Sequence, residues 1–370
     1  MKTKAAVLFS QPGKWEVTEV DLDEPQATEV LVKIKAAGLC HSDDHMCTGD
    51  MPSMKLPIAG GHEGAGIVEA VGSNVTNVAP GDHIVLQFIP GCGRCRWCAG
   101  GQQNLCDSGA MLLAGCQLDG SFRMHKDGED IGQMAMVSTF SQYTIVPAIS
   151  CVKIPDDIPM EVACLVGCGV PTGWGSAVNG AGVVPGDVTI VMGVGGIGIN
   201  SVQGAKHAGA TRIIAVDPQP LKREMALQLG ATDAVETIQQ AAQLAQELTN
   251  GQGADNAIVT VGVTRGEHIG QAFNAVRKGG TIAVVGIGPV TEQSIPVSPF
   301  ILTLFQKRLQ GVLYGAMSPS KDMLRLLNMY QAGQLKLDEL VTRTYTLDQI
   351  NEGYADMHAG RNIRGVITFD

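Results

Sequence analysis

The chain reads as an α/β protein in two parts, a β-rich N-terminal region followed by a doubly wound parallel sheet. Three observations predict this. Up to about residue 150, short strands (AAVLF, VLVKIKAAG, GAGIVEAVG, DHIVLQFIP) alternate with Pro-Gly and Gly-Asp turns. After Pro185-Gly186-Asp187, apolar strands alternate with helix-length segments, the pattern of parallel strands joined by helical crossovers. The 370 residues are 45% hydrophobic and 17% charged. That is material for roughly two or three domains at about 150 residues each, with too little charge for long disorder.

Taken in order, the second part predicts strand VTIVMGV, helix INSVQGAKHAG, strand RIIAVD, helix PLKREMALQLG and strand DAVE. It continues with helix IQQAAQLAQEL, strand NAIVTV, a helix through HIGQAFNAVRKGG and strand TIAVVGIG. From about Pro319 come the amphipathic helix KDMLRLLNMYQAG, the helix LDQINEGYADMHAG and a final strand RGVITF. Residues 162–186 and 188–205 carry no charge and approach membrane-spanning length. Seven glycines and two prolines in the first, and the glycine-rich run ending in Asn200, Ser201 and Gln203 in the second, read as turns and buried strands.

Acidic residues outnumber basic ones 36 to 26, a formal net charge of -10 with no basic run, which argues against nucleic-acid and acidic-membrane partners. Pro12, Gly13 and Lys14 interrupt the N-terminus before an apolar signal-peptide region forms, so a cytoplasmic protein is expected. In that compartment ten cysteines favour metal ligation over disulfides.

The sharpest pattern is Cys92-x2-Cys95-x2-Cys98-x7-Cys106. Four thiolates in one turn-rich lobe complete a tetrahedral shell about 2.3 Å from zinc and leave no position for water, so such a site is structural. Two disulfides or an iron-sulfur cluster are the rival readings. The second pattern is GVGGIG between an apolar strand and a helix, with Gly193, Gly195 and Gly198 at the fingerprint positions. They serve a tight turn, close approach of a pyrophosphate and helix-strand packing. Asp217 follows 19 residues after Gly198 at the end of RIIAVD, where a carboxylate takes the ribose hydroxyls and repels a 2′-phosphate, which favours NAD. Lys222 and Arg223 lie near enough in sequence to weaken that preference.

A third group is dispersed: Cys40-His41-Ser42-Asp43-Asp44-His45, Gly61-His62-Glu63 and Cys164-x3-Cys168. Cys40, His62 and Cys168 would form an open Cys2His zinc site. Spacing leaves this undecided, because Cys164 and Cys168 also read as small core residues, His62 as a satisfied turn histidine, and His41 and His45 as solvated.

The motifs GLCHSDDH, GGHEGAGIVEAVG, GDHIV, the four-cysteine lobe, LVGCGVPTGWGSAV and GVGGIG stand in the order found in zinc-dependent medium-chain alcohol dehydrogenases. The chain resembles that family essentially end to end. The long segment between Cys106 and STFSQYTIVP resembles the liver-type and thiol-dependent formaldehyde dehydrogenase branches. LLAGCQLDGSF, LVGCGV and GRNIRGVI are similar to the actinomycete nitroso-dimethylaniline-dependent alcohol dehydrogenases, which hold nicotinamide tightly and pass electrons to another acceptor.

The resemblance implies a GroES-like catalytic domain over 1–168 with its zinc lobe at about 92–106, a Rossmann domain over 169–312, and a segment 313–370 that partly returns to the catalytic domain. It implies two zinc ions per chain: Cys40, His62 and Cys168 at the catalytic one, with Glu63 an alternate ligand, and Cys92, Cys95, Cys98 and Cys106 at the structural one. Asp43 would orient His62, and Ser42 would relay the alcohol proton through the cofactor ribose to His45. His41 and Arg364 would contact the pyrophosphate, Gly193, Gly195, Gly196 and Gly198 would cradle it, Lys222 would join Asp217 at the ribose, and Thr172 would face the nicotinamide. Met51, Phe88, Met111 and Phe140 match substrate-pocket positions, and their bulk suits a small or medium aliphatic or benzylic alcohol. Pro171, where relatives often carry a small hydroxyl residue, affects only the local turn. The family also implies a homodimer or homotetramer through the nucleotide-domain sheet edge and an external electron acceptor. Two other functions stay open at this point: oxidation of a formaldehyde-thiol hemithioacetal, and a non-catalytic zinc and nucleotide-binding role.

Overall fold

The computed structural model describes residues 1–370 except Met54. Its contacts divide the chain into two units: Met1–Cys168 with Ser318–Asp370, and Gly169–Met317.

The first unit combines a small closed barrel with a mixed sheet. The barrel runs Lys2–Leu8, Glu16–Leu22, Met124–Lys126, Glu129–Gln133 and Ile58–Ala59, which pairs back with the first strand. The sheet is ordered Cys151–Lys153, His83–Leu86, Gly64–Val71, Glu29–Gly38, Arg364–Thr368 and Val341–Tyr345, and Tyr143–Pro147 also pairs with Glu29–Gly38. Its long strand shows the alternation of a sheet with one buried face: Val30, Val32 and Ile34 enter the core while Lys33 and Lys35 point away. Across this unit Arg123 donates to both carboxylate oxygens of Glu29 at 2.8 and 2.9 Å, both side chains being buried. The C-terminal segment is structurally part of this unit, because Val366, Ile367 and Thr368 pair with Gly38, Ala37 and Ala36.

The second unit is a six-stranded, all-parallel sheet: Asp233–Val235, Arg212–Val216, Val188–Met192, Ala254–Val259, Val276–Val284 and Arg308–Gly311. Numbered along the chain within this sheet, the order is 3-2-1-4-5-6, and it reverses between Val188–Met192 and Ala254–Val259. Ligands of doubly wound sheets bind outside the strand ends at that reversal. The helices Gly198–Ala208, Pro220–Leu229, Ile238–Leu248 and Gly266–Ala275 make the crossovers. Thr237 caps the third of them through a reciprocal pair with Gln240.

Two expectations are corrected. Residues 162–186 are not turns and strands but largely helical, through Met160–Ala163, Cys164–Gly167, Gly169–Gly175 and Ser176–Ala181. Their glycines serve close packing: a Cβ on Gly173 would strike the Ile197 carbonyl oxygen, and one on Gly175 that of Gly315. The helix expected through HIGQAFNAVRKGG ends at Ala275, because Val276 turns extended and pairs with Ala254 in the sheet. Tertiary pairing there overrides the helical pattern. Among the described residues no helix is long and apolar enough to cross a membrane.

Candidate active site and metal centres

The two cysteine groups are organised differently. In the lobe, Gly93 and Gly101 adopt positive φ of 75° and 78°, which lets the chain double back on itself. The Cys95 N–H donates to Cys92 Sγ, the Cys98 N–H to Cys95 Sγ and the Cys92 N–H to Cys106 Sγ, each at 3.4 Å. Cys92 and Cys98 sulfurs are 3.9 Å apart, and Cys95 and Cys106 sulfurs 4.0 Å. A tetrahedron with metal-sulfur bonds of about 2.3 Å has sulfur-sulfur edges of about 3.8 Å. Disulfides are therefore ruled out by distance, none of the ten cysteines is in a disulfide, and the spacing suits one ion rather than a cluster of several. The N–H groups of Cys98 and Asp107 pull the Cys95 thiol down to about 6, whereas burial pushes Cys98 up to about 12. Arg96 stacks on Trp97 at 4.6 Å. Ser320 Oγ donates to Gln103 at 2.6 Å, tying the lobe to the start of the helix Pro319–Gln331.

The second group is assembled by the sheet. Strand Glu29–Gly38 delivers Cys40, and its neighbour Gly64–Val71 begins just after His62 and Glu63. Gly38 N–H donates to the Glu63 carbonyl at 3.1 Å, and Leu39 N–H to that of Gly365 at 2.9 Å. Gly167 packs on the Glu63–Gly64 backbone with its Cβ position 3.6 Å away, which brings Cys168 in. Donor atoms of Cys40, His62, Glu63 and Cys168 all lie within 4.8 Å of one another, and all four residues are buried. The sequence left this convergence undecided.

Around it the electrostatics are strong. Cys168 hydrogen-bonds Cys40, and with His62 holds the Cys40 thiol well below its usual range; the proton-bearing Cys168 is correspondingly pushed up. His62 Nδ1 sits 3.2 and 3.1 Å from the two Asp43 oxygens, so Nδ1 carries the proton and Nε2 is the metal-binding nitrogen. Burial opposes the charged ring, but Asp43 and Cys40 outweigh it and raise His62 well above its ordinary value. Asp43 also accepts from Gly61 N–H at 3.0 Å. Burial lifts Glu63 to about 7 against the opposing pull of Arg364. One Glu63 oxygen is bonded to Arg364, while the other, buried, has no partner among the described residues, a donor that suits a metal ion.

The remaining expected residues fall as follows. Ser42 Oγ is 3.6 Å from Cys40 Sγ. His45 is buried rather than solvated, with Asp50 3.3 Å from Nδ1. His41 is half-buried, its ring 6.3 Å from that of His45 and 6.4 Å from that of His358. Arg364, expected at a pyrophosphate, is instead buried against Glu63. Phe88 meets the His62 ring edge-on at 5.3 Å, and Met51 packs beside the same core cluster. Phe140 is 0% exposed and meets Trp15 and Tyr354 edge-on, with ring centroids 5.8 and 6.5 Å away. Met111 is half-buried at the end of the turn Asp107–Met111.

In the second unit Gly193 has φ 87°, and a Cβ on Gly198 would strike the Gly193 carbonyl oxygen, as fingerprint glycines require. Gly196 lies in the turn between them, half-buried. Asp217 is buried, accepting from the N–H of Val194 at 3.1 Å and of Gln219 at 2.9 Å. The Lys222 ammonium lies 3.8 Å from the Cβ position of Gly195. Arg223 donates to the carbonyls of Asp217 and Pro218 at 2.7 and 2.9 Å. Thr172 is buried in the helix Gly169–Gly175. Sequence reading missed Thr260, whose hydroxyl donates to the carbonyls of Met192 and Gly193 at 3.1 and 2.6 Å and locks the glycine turn. Its signal was its position at the end of the strand Ala254–Val259, across the reversal from the glycines.

A β-rich unit with two metal-ligand clusters and a doubly wound unit with a dinucleotide fingerprint define a zinc-dependent nicotinamide dehydrogenase. Residues 26–156 match the alcohol dehydrogenase GroES-like domain, and residues 196–330 the zinc-binding dehydrogenase domain. The chain is 53% identical over 367 residues to an NDMA-dependent alcohol dehydrogenase of Amycolatopsis methanolica, covering 99% of each chain. The solved benzyl alcohol dehydrogenase of Acinetobacter calcoaceticus superposes with a TM-score of 0.92 at 32% identity, covering 100% of both chains. A zinc-binding dehydrogenase of Sinorhizobium meliloti, described as bound to NADP, gives 0.78 at 27% identity, again over 100% of both chains. The chain belongs to the zinc-dependent alcohol dehydrogenase family and is an oxidoreductase that uses zinc and a nicotinamide cofactor.

Proposed function

We propose that the chain oxidises a primary alcohol to its aldehyde by hydride transfer to NAD, with one zinc at each cysteine cluster and two per chain. The observation that carries this reading is the buried convergence of Cys40, His62 and Cys168 beside a carboxylate already engaged by Arg364. Three protein donors of this kind are the catalytic zinc pattern, in which the fourth position takes water or substrate. When bound, zinc supplies Lewis acidity toward the alcohol oxygen and the nicotinamide supplies hydride acceptance.

The residues divide the remaining work. Asp43 fixes the His62 ring so that Nε2 faces the sulfurs. Ser42 would accept the alcohol proton and His45 would pass a proton on toward solvent, with a bound nicotinamide supplying the ribose hydroxyls near them. Phe88 and Met51 exclude water and favour an apolar alcohol, aliphatic or benzylic. His41 contributes to pyrophosphate binding, and Arg364 does so on release from Glu63. Asp217 takes the ribose hydroxyls with the lone pairs left by its two backbone bonds, beside Lys222. Because Arg223 is occupied by carbonyls, the carboxylate dominates and NAD is preferred. The NDMA dependence in the name of the 53%-identical relative supports an external electron acceptor, to which a nicotinamide that stays bound would pass its electrons. Ten thiols with no disulfide among them suit the cytoplasm. Strand Arg308–Gly311 leaves one edge of the six-stranded sheet uncovered by another strand of this chain, and Phe300 and Leu304 are exposed, which supports a homodimer or homotetramer through that edge.

One preparation tests the reading. Zinc is counted per chain, the protein is denatured and the released nicotinamide identified, and alcohol oxidation is compared with added NAD and with nitroso-dimethylaniline. Release of NADP, or about one zinc per chain where the closed and open sites together need two, overturns the assignment. Ser42→Ala is expected to lower turnover by about a hundredfold with zinc retained. An unaltered rate across neutral pH removes the relay.

A further inference from the structure

The turn after the helix His41–Thr48 carries a group that the relay as described does not use. The helix stops at Gly49, which adopts the left-handed conformation at φ 87°. The N–H groups of Gly49 and Met51 both reach the His45 carbonyl, at 3.1 and 3.0 Å. This reversal folds Asp50 back along the last turn, where its Oδ2 lies 3.3 Å from His45 Nδ1. Thr48 Oγ1 donates to that same oxygen at 3.0 Å. From the loop between the first two barrel strands, Gln11 clamps the turn. Its amide donates to the carbonyls of Met46 and Met51 at 2.6 and 2.8 Å and accepts from Ser53 N–H at 3.1 Å.

A carboxylate at neutral pH can only accept hydrogen bonds, so the ring nitrogen facing Asp50 must carry the proton. Nε2 is then the nitrogen with a lone pair. The other acidic groups of the helix are committed elsewhere, Asp43 to His62 and Asp44 to His358 at 2.8 Å. The His45 side chain is 2% exposed, whereas that of Asp50 is 27% exposed.

We propose that Asp50 is a positioning residue of the proton relay: it fixes His45 as the Nδ1–H tautomer and presents Nε2 to the proton leaving the alcohol. This rests on the relay reading above. The proton arriving at Nε2 gives an imidazolium whose charge faces Asp50 until a proton passes to water. A buried carboxylate sets the histidine tautomer in the same way in Ser-His-Asp hydrolases.

The test compares Asp50→Asn, Asp50→Glu and His45→Gln in the zinc- and nicotinamide-loaded full chain. Nitrogen-15 histidine spectra report the tautomer of His45, whose signals are identified by their loss in His45→Gln. The wild type is expected to show Nδ1 protonated and Nε2 bare, and Asp50→Asn a mixed or reversed state. Asp50→Asn is expected to lower kcat by about tenfold to a hundredfold with the alcohol KM within about twofold, and Asp50→Glu to recover most of the loss. Thr48→Val, which removes only the hydroxyl on Oδ2, is expected to give a smaller loss in the same direction and stands in if Asp50→Asn does not fold. An unchanged His45 tautomer in Asp50→Asn, or unchanged kcat there while His45→Gln is impaired, overturns the proposal. Unimpaired kcat in His45→Gln removes the relay itself, and the role of Asp50 with it.

Discussion

The lobe of Cys92, Cys95, Cys98 and Cys106 and the group of Cys40, His62, Glu63 and Cys168 use similar donors in opposite ways. The first gathers its sulfurs from a single stretch of chain, where backbone N–H groups of Cys92, Cys95 and Cys98 donate to neighbouring sulfurs. The second draws on residues from three places in the chain, is buried throughout, and depends on the pairing of Glu29–Gly38 with Gly64–Val71. A local site needs its metal to hold its loop, whereas a site built by a sheet is held before any metal binds. The lobe should therefore respond to ligand loss in its stability, and the sheet-built site in its chemistry.

The sharpest break of this contrast is Cys106→Ser. Structural zinc contributes on the order of 10 kcal/mol to folding in small domains. This variant is expected to lose one zinc equivalent, fold in lower yield and melt roughly 10 °C or more lower, read by metal analysis and calorimetry. Normal zinc content would remove the structural assignment. Cys168→Ser should also lose one equivalent, but with melting close to the parent and turnover down by about a thousandfold, because the lost effect is Lewis-acid stabilisation worth several kcal/mol. If it melts as low as Cys106→Ser, the contrast between the two sites is wrong. Asp43→Asn sharpens the comparison with a smaller effect. Removing the carboxylate behind His62 is expected to weaken zinc at the sheet-built site by about tenfold to a hundredfold in a chelator competition while leaving the lobe loaded.

The same contrast explains what could be read in the sequence. The lobe and the glycine turn are local, so their spacing alone named Cys92, Cys95, Cys98, Cys106, Gly193, Gly195 and Gly198. The sheet-built site could be named as a candidate from its residues but was left undecided without the resemblance, because nothing local says that Cys40 and Cys168 meet. Periodicity located the crossover helices but misjudged residues 162–186, where glycines admit neighbouring backbone instead of forming turns. The Arg364–Glu63 pair joins residues 301 positions apart and could not be foreseen. Asp50 lay five residues from His45, yet its role depends on the left-handed turn at Gly49, which spacing does not reveal.

One consequence of strand Arg364–Thr368 concerns synthesis on the ribosome. It adds to Glu29–Gly38, so the sheet that builds the Cys40 and His62 site is completed only after a strand more than 300 residues downstream has emerged. The intervening stretch Gly169–Met317 is continuous and contains its own core, so it can fold while its partner still waits. A chain cut before Arg364, even with every proposed zinc ligand intact, would strand that waiting sheet with an open edge and a buried glutamate stripped of its arginine.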